Sequence, residues 1–256
     1  MEQPVAFHDA AGHAVAAILS TPIQATDRLI VLCHGFLSNK NSTTNRTLTR
    51  LLLDQGIATF RFDFFGQGES EGPFERLTVG TAIDQTLAAL DVVKAQSYRR
   101  VGLIGSSFGG LVAILVAAQR ADLAAVGLKC PVPDFPEVLR LEFGEAGMDR
   151  WRQNHEIPDV TGSTQPVRLP FAFYENCLAY DAYKAAEAIT APVLIVQGDC
   201  DELVPLHQSR RLCDVIRTEK ELQILNGANH GFTKAEDFRT MTNALADWMV
   251  KHLTGC

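Results

Sequence analysis

No stretch of this 256-residue chain is apolar and unbroken for long enough to span a bilayer. The opening "MEQPVAFHDAAGHAVAAILSTP" has no basic segment ahead of its short apolar run, so it does not read as a secretory leader, and a cytoplasmic protein is the expectation. The six cysteines (Cys33, Cys130, Cys177, Cys200, Cys213, Cys256) are scattered and include no C-x-x-C pair. That spacing argues against a zinc site or a disulfide frame and for reduced, buried thiols. Basic residues are not clustered either: Arg99 with Arg100 and Arg210 with Arg211 are only pairs, in a chain of formal charge −7. A nucleic-acid partner would need a dense patch of positive charge, so none is expected. Repeats and low-complexity tracts are also missing.

What is present is an ordinary globular composition, 46% apolar, enough to bury one sizeable core. Residues 1–256 are expected to form a single α/β domain. Strand-like and helix-like blocks alternate along the chain, the pattern of a mostly parallel sheet flanked by helices. "PVAFH" and "HAVAAILS" flank the turn-forming "DAAG" and read as an antiparallel hairpin. "RLIVLCH" (28–34) and "IATFRFD" (57–63) are short apolar runs of buried-strand type, "RVGLIGS" reads as a central strand and "LAAVGLKC" as another buried strand, and "APVLIVQG" and "ELQIL" read as strands. Leu48, Leu51 and Leu52 recur at helical spacing ahead of Gly56, and Ile83, Leu87, Leu90 and Val93 mark a helix over about 78–96. Further helices are expected over "FGGLVAILVAAQR", over 205–216, and at the end of the chain, where Phe238, Met241, Leu245, Trp248 and Met249 line one face. Between Cys130 and "APVLIVQG" the pattern breaks into prolines and aromatics. That stretch is too long for a plain connection, so residues 131–188 are expected to form a small helical or irregular cap.

The segment "VGLIGSSFGG" (101–110) holds two adjacent serines. In G-x-S-x-G the serine sits at the apex of a strand-to-helix turn so tight that the residues two positions away on either side must be small. Only Ser107 has that frame, between Gly105 and Gly109; Ser106 is flanked at that distance by Ile104 and Phe108. A serine hydroxyl is a weak nucleophile near neutral pH and needs a histidine base, itself oriented by an acid. "QGDCDELVP" and "NGANHGF" each follow a strand, so their polar residues stand at the carboxyl edge of the sheet, where open α/β sheets form their sites. His230 is the base this predicts, and the order Ser107, Asp201, His230 suits the motif. Asp199 competes with Asp201, but it leaves the strand too early to reach the histidine easily and could cap the turn instead, so Asp201 is expected. His34, at a strand end in "CHGF", is expected to support its loop. Backbone amides of Phe36 and Phe108 are the candidate donors to an oxyanion. No metal or organic cofactor is implied.

Taken together, "CHGFLSNKN", "FRFDFFGQGESEGPFERLTV", "GSSFGG", "PVLIVQGDCDELVP" and "GANHGF" resemble the α/β-hydrolase family, and within it the cinnamoyl and feruloyl esterase-like members. The resemblance implies an α/β-hydrolase fold with an inserted cap, and cleavage of a small-molecule carboxylic ester through an acyl-enzyme intermediate. It also implies that Asp63, Gly66, Gly68 and Ser70 shape a structural loop and do not cradle a phosphate. Ser106 stands where many relatives carry a histidine. In such esterases a cap acid and a cap tyrosine meet a phenolic hydroxyl, and Asp134 and Tyr174 are the counterparts here. The cap aromatics Phe135, Phe143, Trp151, Phe171, Phe173 and Tyr174 could line a pocket for an aromatic or medium acyl group, or form a satellite core. Cap residues are also available for a homodimer contact. Thioesterase, amidase or acylaminopeptidase activity on the same triad, and a non-catalytic ligand-binding role, are the alternatives.

Overall fold

The computed structural model describes residues 1–157 and 166–255; residues 158–165 of the expected cap, and Cys256 among the expected thiols, lie outside the described residues. Strands β1 (Glu2–His8), β2 (Ala14–Ser20), β3 (Arg28–Cys33), β4 (Ala58–Phe62), β5 (Arg100–Ser106) and β6 (Val126–Lys129) build most of the main sheet. After them, β7 (Glu156–Ile157) and β8 (Val167–Arg168) pair only with each other, and β9 (Val193–Gly198) and β10 (Lys220–Leu225) complete the main sheet. Its order is β1-β2-β4-β3-β5-β6-β9-β10. Strand β2 runs antiparallel to both neighbours, and every other pairing is parallel. A continuous apolar run explains β3, buried on both faces save a half-buried Arg28; β4 is also buried on both faces, with Thr59 and Arg61 satisfied by hydrogen bonds to Thr49, Ser20 and Glu2.

Helices cover both faces. On one side, α1 (Thr43–Asp54) and α8 (Ala235–Thr254) pack Leu48, Leu52, Met241, Leu245 and Met249 against Ile30, Leu32 and Ile104. On the other lie α2 (Val79–Ala95), α3 (Phe108–Ala117) and α7 (Leu206–Val215), together with α4 (Phe135–Asn154), α5 (Ala172–Cys177) and α6 (Ala182–Ala186) from the stretch between β6 and β9. The cap positions follow from side chains: Ser42 and Thr78 accept from the amides of Asn45 and Thr81 at the starts of α1 and α2. Helix α3 is buried on every side, which its run of apolar residues allows. Helix α4 is longer than the broken sequence pattern indicates. Pro136 falls in its first turn, where a missing amide hydrogen costs nothing, and Gly144 interrupts it with non-helical torsions.

The loop after β4 closes on one carboxylate. Asp63 accepts from the Lys40 amide (2.6 Å), the Lys40 ammonium (2.5 Å) and the Glu69 amide (2.8 Å), and its own carbonyl accepts from Ser70 Oγ (2.7 Å). Gly68 is pressed against this carboxylate, and a side chain there would collide with it. Lys40 and Asp63 are both buried, and the Lys40 ammonium also pairs with the exposed Glu69 (2.5 Å), so losing the Asp63 charge leaves Lys40 a single, solvent-facing counter-ion. Asp63→Asn is therefore expected to lower unfolding free energy by about 2 kcal/mol, read from urea denaturation.

Candidate active site

Strand β5 delivers Ser107 into helix α3 with left-handed torsions, φ 53° and ψ −116°, an arrangement that costs on the order of 1–3 kcal/mol and must be held by its surroundings. Ser107 N donates to Lys129 O (2.9 Å). Gly105 and Gly109 are so close that a side chain on Gly105 would strike the Gly109 carbonyl, and one on Gly109 would strike the His34 and Cys33 carbonyls. The turn can form only with glycine at both places.

Three loops at the carboxyl edge of the sheet then converge. Ser107 Oγ lies 3.2 Å from His230 Nε2, and His230 Nδ1 lies 2.8 Å and 3.0 Å from the two oxygens of Asp201. Asp201 also accepts from the Leu203 and Val204 amides (3.0 and 2.8 Å) and from Gln197 Nε2 (2.7 Å). Burial alone would raise the Asp201 carboxyl, but the His230 ring and the Val204 amide hold it below the ordinary carboxylate range. An ionised Asp201 fixes the proton on His230 Nδ1 and leaves Nε2 free to accept from Ser107. Asp199 is elsewhere: its carboxylate accepts from the Gly227 amide (2.6 Å) and so caps the turn after β10.

The Phe36 loop passes close to the serine, so near that a side chain on Gly35 would touch Ser107 Cβ and the Ser106 carbonyl. The Phe36 ring is packed among Phe74, Phe108, Phe135 and Phe173, at centroid distances of 5.4–5.9 Å. That packing fixes the Phe36 backbone. Among the described residues neither the Phe36 amide nor the Phe108 amide has a hydrogen-bond partner. His34 braces the same loop: Nδ1–H donates to Gly35 O (2.7 Å) and Nε2 accepts from the Phe64 amide (3.0 Å). Burial holds the ring neutral and its pKa down to about 4. Below the ordinary value of 6.5 the unfolded chain binds a proton that folded His34 refuses until about 4, so the stability this ring contributes falls as pH drops through that window. Between about pH 7 and pH 5 the loss is about 2 kcal/mol, and a His34→Gln variant should show a correspondingly flatter pH dependence in urea denaturation.

Ser107 and His230 open into a cleft of about 310 Å3. Its apolar wall includes Val132, Phe135, Val138, Leu139 and Phe143; Glu142 also lines it, and desolvation raises that carboxyl above its ordinary value. The cap aromatics divide. Phe135 and Phe143 line the cleft, whereas Trp151, Phe171 and Tyr174 stack on one another at 5.1–6.2 Å away from it, continuous with the main core. The structure does not bring Asp134 and Tyr174 to this cleft. Asp134 caps α4 by accepting from the Glu137 amide, the Tyr174 hydroxyl accepts from Arg140, and the two residues face two other surface pockets. The cap acid that does reach the cleft is Glu142, eight residues further along α4.

Sequence reasoning also passed over Gln197 and Lys129. Gln197, buried in β9, ties Asp201 to Ser209 Oγ (2.9 Å). Lys129, at the end of β6, donates from Nζ to His230 O (2.5 Å). A charged residue closing a buried parallel strand at the catalytic edge was the available signal. Cys130, Asp201 and His230 place potential metal-ligand atoms within 4.8 Å of one another. Burial pushes the Cys130 thiol up to about 12, which keeps it protonated and a poor ligand, and the facing atoms of Asp201 and His230 are already paired. Cys33, Cys130 and Cys177 are buried free thiols, but Cys200 is exposed, contrary to the expectation of uniformly buried cysteines.

The strand order, the glycine-bounded serine turn and the loops at the carboxyl edge together define an α/β-hydrolase fold. The sequence model of the alpha/beta hydrolase family matches residues 30–238, and the chain belongs to that family. Among its relatives is palmitoyl-protein thioesterase ABHD10, mitochondrial, of Rattus norvegicus, 23% identical over 232 residues that cover 87% of this chain and 75% of the relative. Among solved structures, Est1E from Butyrivibrio proteoclasticus with ferulic acid bound superposes with a TM-score of 0.84 at 25% identity, covering 96% of this chain and 98% of that one. Alpha/beta hydrolase domain-containing protein 10 from mouse gives 0.83 at 20% identity, covering 97% and 99%. No described helix is long and apolar enough to cross a membrane.

Proposed function

We propose that the protein is a serine hydrolase of carboxylic esters, acting through an acyl-enzyme on Ser107, with residues 131–188 as a cap that shapes the substrate site. The observation that carries this reading is the unbroken hydrogen-bond chain Asp201–His230–Ser107 at the floor of the cleft. Ser107 Oγ attacks the ester carbonyl as His230 Nε2 takes its proton, and the Phe36 and Phe108 amides receive the oxyanion. The intermediate collapses as His230 gives that proton to the departing alcohol. Water, deprotonated by His230, then attacks the acyl-enzyme, and the acid leaves with Ser107 restored.

The apolar wall and the modest volume suit an aromatic or short to medium acyl group. The resemblance to a structure that holds ferulic acid supports the aromatic choice. Kinship to a protein named as a palmitoyl-protein thioesterase favours a second reading, thioester cleavage by the same residues. The buried free thiols suit a reducing compartment such as the cytoplasm. The test is mass-mapped labelling by a fluorophosphonate, run beside p-nitrophenyl esters, methyl ferulate and a matched acyl thioester. A single adduct on Ser107 with ester turnover is expected, and the ester-to-thioester ratio decides between the two readings. No adduct and no turnover overturns both.

A further inference from the structure

The two walls of the cleft differ in character. Opposite the apolar α4 wall stand Ser42, the N-cap of α1, Thr44 of α1, Ser106 of β5 and Lys129 of β6. Their common side follows from the sheet. Gly127 faces Leu245 and Met249 of α8, so Lys129, two residues on, points to the same face, and Ser106 is its register partner across the β5–β6 pairing. Helices α1 and α8 pack together on that face.

Lys129 is the unusual member. It is only 6% exposed, yet no carboxylate lies within ion-pair distance of it among the described residues. Its ammonium has the His230 carbonyl at 2.5 Å and the Phe232 ring at 5.4 Å, neither of which cancels a charge. A buried cation without a counter-ion is costly, and a neutral chain of similar length would pack as well. The nearby carboxylates of Asp201 and Glu202 are taken up by the His230 ring and the His230 amide, and helix α1 adds positive potential. Helix α1 points its N-terminus at this wall with no acidic residue in its first turn, and Ser42 Oγ, which accepts from the Asn45 amide, keeps its own proton to donate. All this occurs in a chain of net charge −7.

We infer that Lys129, with Ser42, Thr44 and Ser106, recognises an anionic group, carboxylate or phosphate, on the alcohol portion of the substrate. The side of the substrate follows from the chemistry of the proposed ester hydrolysis, on which this inference rests. His230 must protonate the leaving alcohol, so that portion lies beside His230, and Lys129 is held against the His230 backbone. The acyl portion then rests on the apolar α4 wall. Glu142 belongs to that opposite wall and makes no ion pair with Lys129.

The test compares kcat/KM within matched pairs: the hexanoyl ester of 3-hydroxypropanoate against that of its neutral methylamide, and the hexanoyl ester of glycerol phosphate against that of glycerol. Each pair is run on the wild type, Lys129→Met and Lys129→Arg. Because both members of a pair use the same triad, any general loss of rate cancels in the ratio. The wild type should favour an anionic ester by about tenfold or more, with the preference shrinking at high salt. Lys129→Met should bring the ratio near one, and Lys129→Arg should restore most of it. The pair with the larger preference identifies carboxylate or phosphate. Equal ratios in the wild type and Lys129→Met would overturn the inference, and fluorophosphonate labelling separates its failure from that of the parent reading. Ser107 labelled with a flat ratio overturns anion recognition alone. Ser107 unlabelled, with neither ester consumed, overturns both.

Discussion

Ser107→Ala is expected to lower ester turnover by on the order of 10^4-fold or more while leaving the unfolding midpoint within a few degrees of the wild type. The loss is large because every later step needs the acyl-enzyme. The Phe36 and Phe108 amides and the cleft would remain, so substrate binding should persist while chemistry stops. The small effect on folding has a structural reason: Ser107 Oγ makes one hydrogen bond, to His230 Nε2 at 3.2 Å, and the turn is secured by backbone contacts at Gly105, Gly109 and Lys129 O. Alanine can occupy the same left-handed torsions at a cost similar to serine's. Steady-state kinetics and thermal unfolding on one preparation check both halves of the statement. Turnover within tenfold of the wild type would remove Ser107 from the mechanism.

The fold was largely legible because most of its elements declare themselves locally. The runs "RLIVLC" and "VLIVQG" are almost wholly apolar, which in a chain without a membrane-length segment fits the interior of a parallel sheet, whereas "ATFRF" puts Ala58, Phe60 and Phe62 on one face and buries the polar Thr59 and Arg61 on the other, hydrogen-bonded to Thr49, Ser20 and Glu2. Ser107 and Asp201 were nameable because each sits just past a buried strand, and His230 because it follows the edge strand β10; parallel strands bring those ends to one edge. The residues between β6 and β9 gave no comparable signal. Helix α4 is broken by Gly144, so its apolar positions do not keep one helical phase, and prolines at 131, 133 and 136 mask its start. Asp134 was drawn to the site by resemblance, but a side chain that caps a helix by accepting from the Glu137 amide is already occupied. Lys129 carried one local signal, a charge closing the buried strand β6, but Glu142 lines the cleft only because of how α4 packs, and no local pattern encodes that.

Asp201→Asn is expected to lower kcat by on the order of 10^4-fold with a modest loss of stability, and the reason lies in the number of donors around the carboxylate. Four N–H groups point at Asp201: His230 Nδ1, Gln197 Nε2 and the amides of Leu203 and Val204. An asparagine offers one oxygen and one NH2. Its oxygen can keep the Leu203 and Val204 amides, which define the turn, and its NH2 must then face His230 and Gln197. Gln197 can adapt by turning its amide over, because Ser209 Oγ is able to accept as well as donate. The lost Gln197 bond to the Val204 carbonyl limits the cost to about 1 kcal/mol. His230 cannot adapt without losing its function. Facing an NH2 donor, Nδ1 must give up its proton and accept, which moves the proton to Nε2, where it meets Ser107 Oγ with nothing left to take the serine's own proton. Fluorophosphonate labelling of Ser107, which needs the same proton transfer, should slow in parallel with turnover. Asp199→Asn is the control: its carboxylate only caps the turn at Gly227, and a rate within a few-fold of the wild type is expected there. If Asp199→Asn proved to be the inactive variant and Asp201→Asn the active one, the acid of the triad would have to be reassigned.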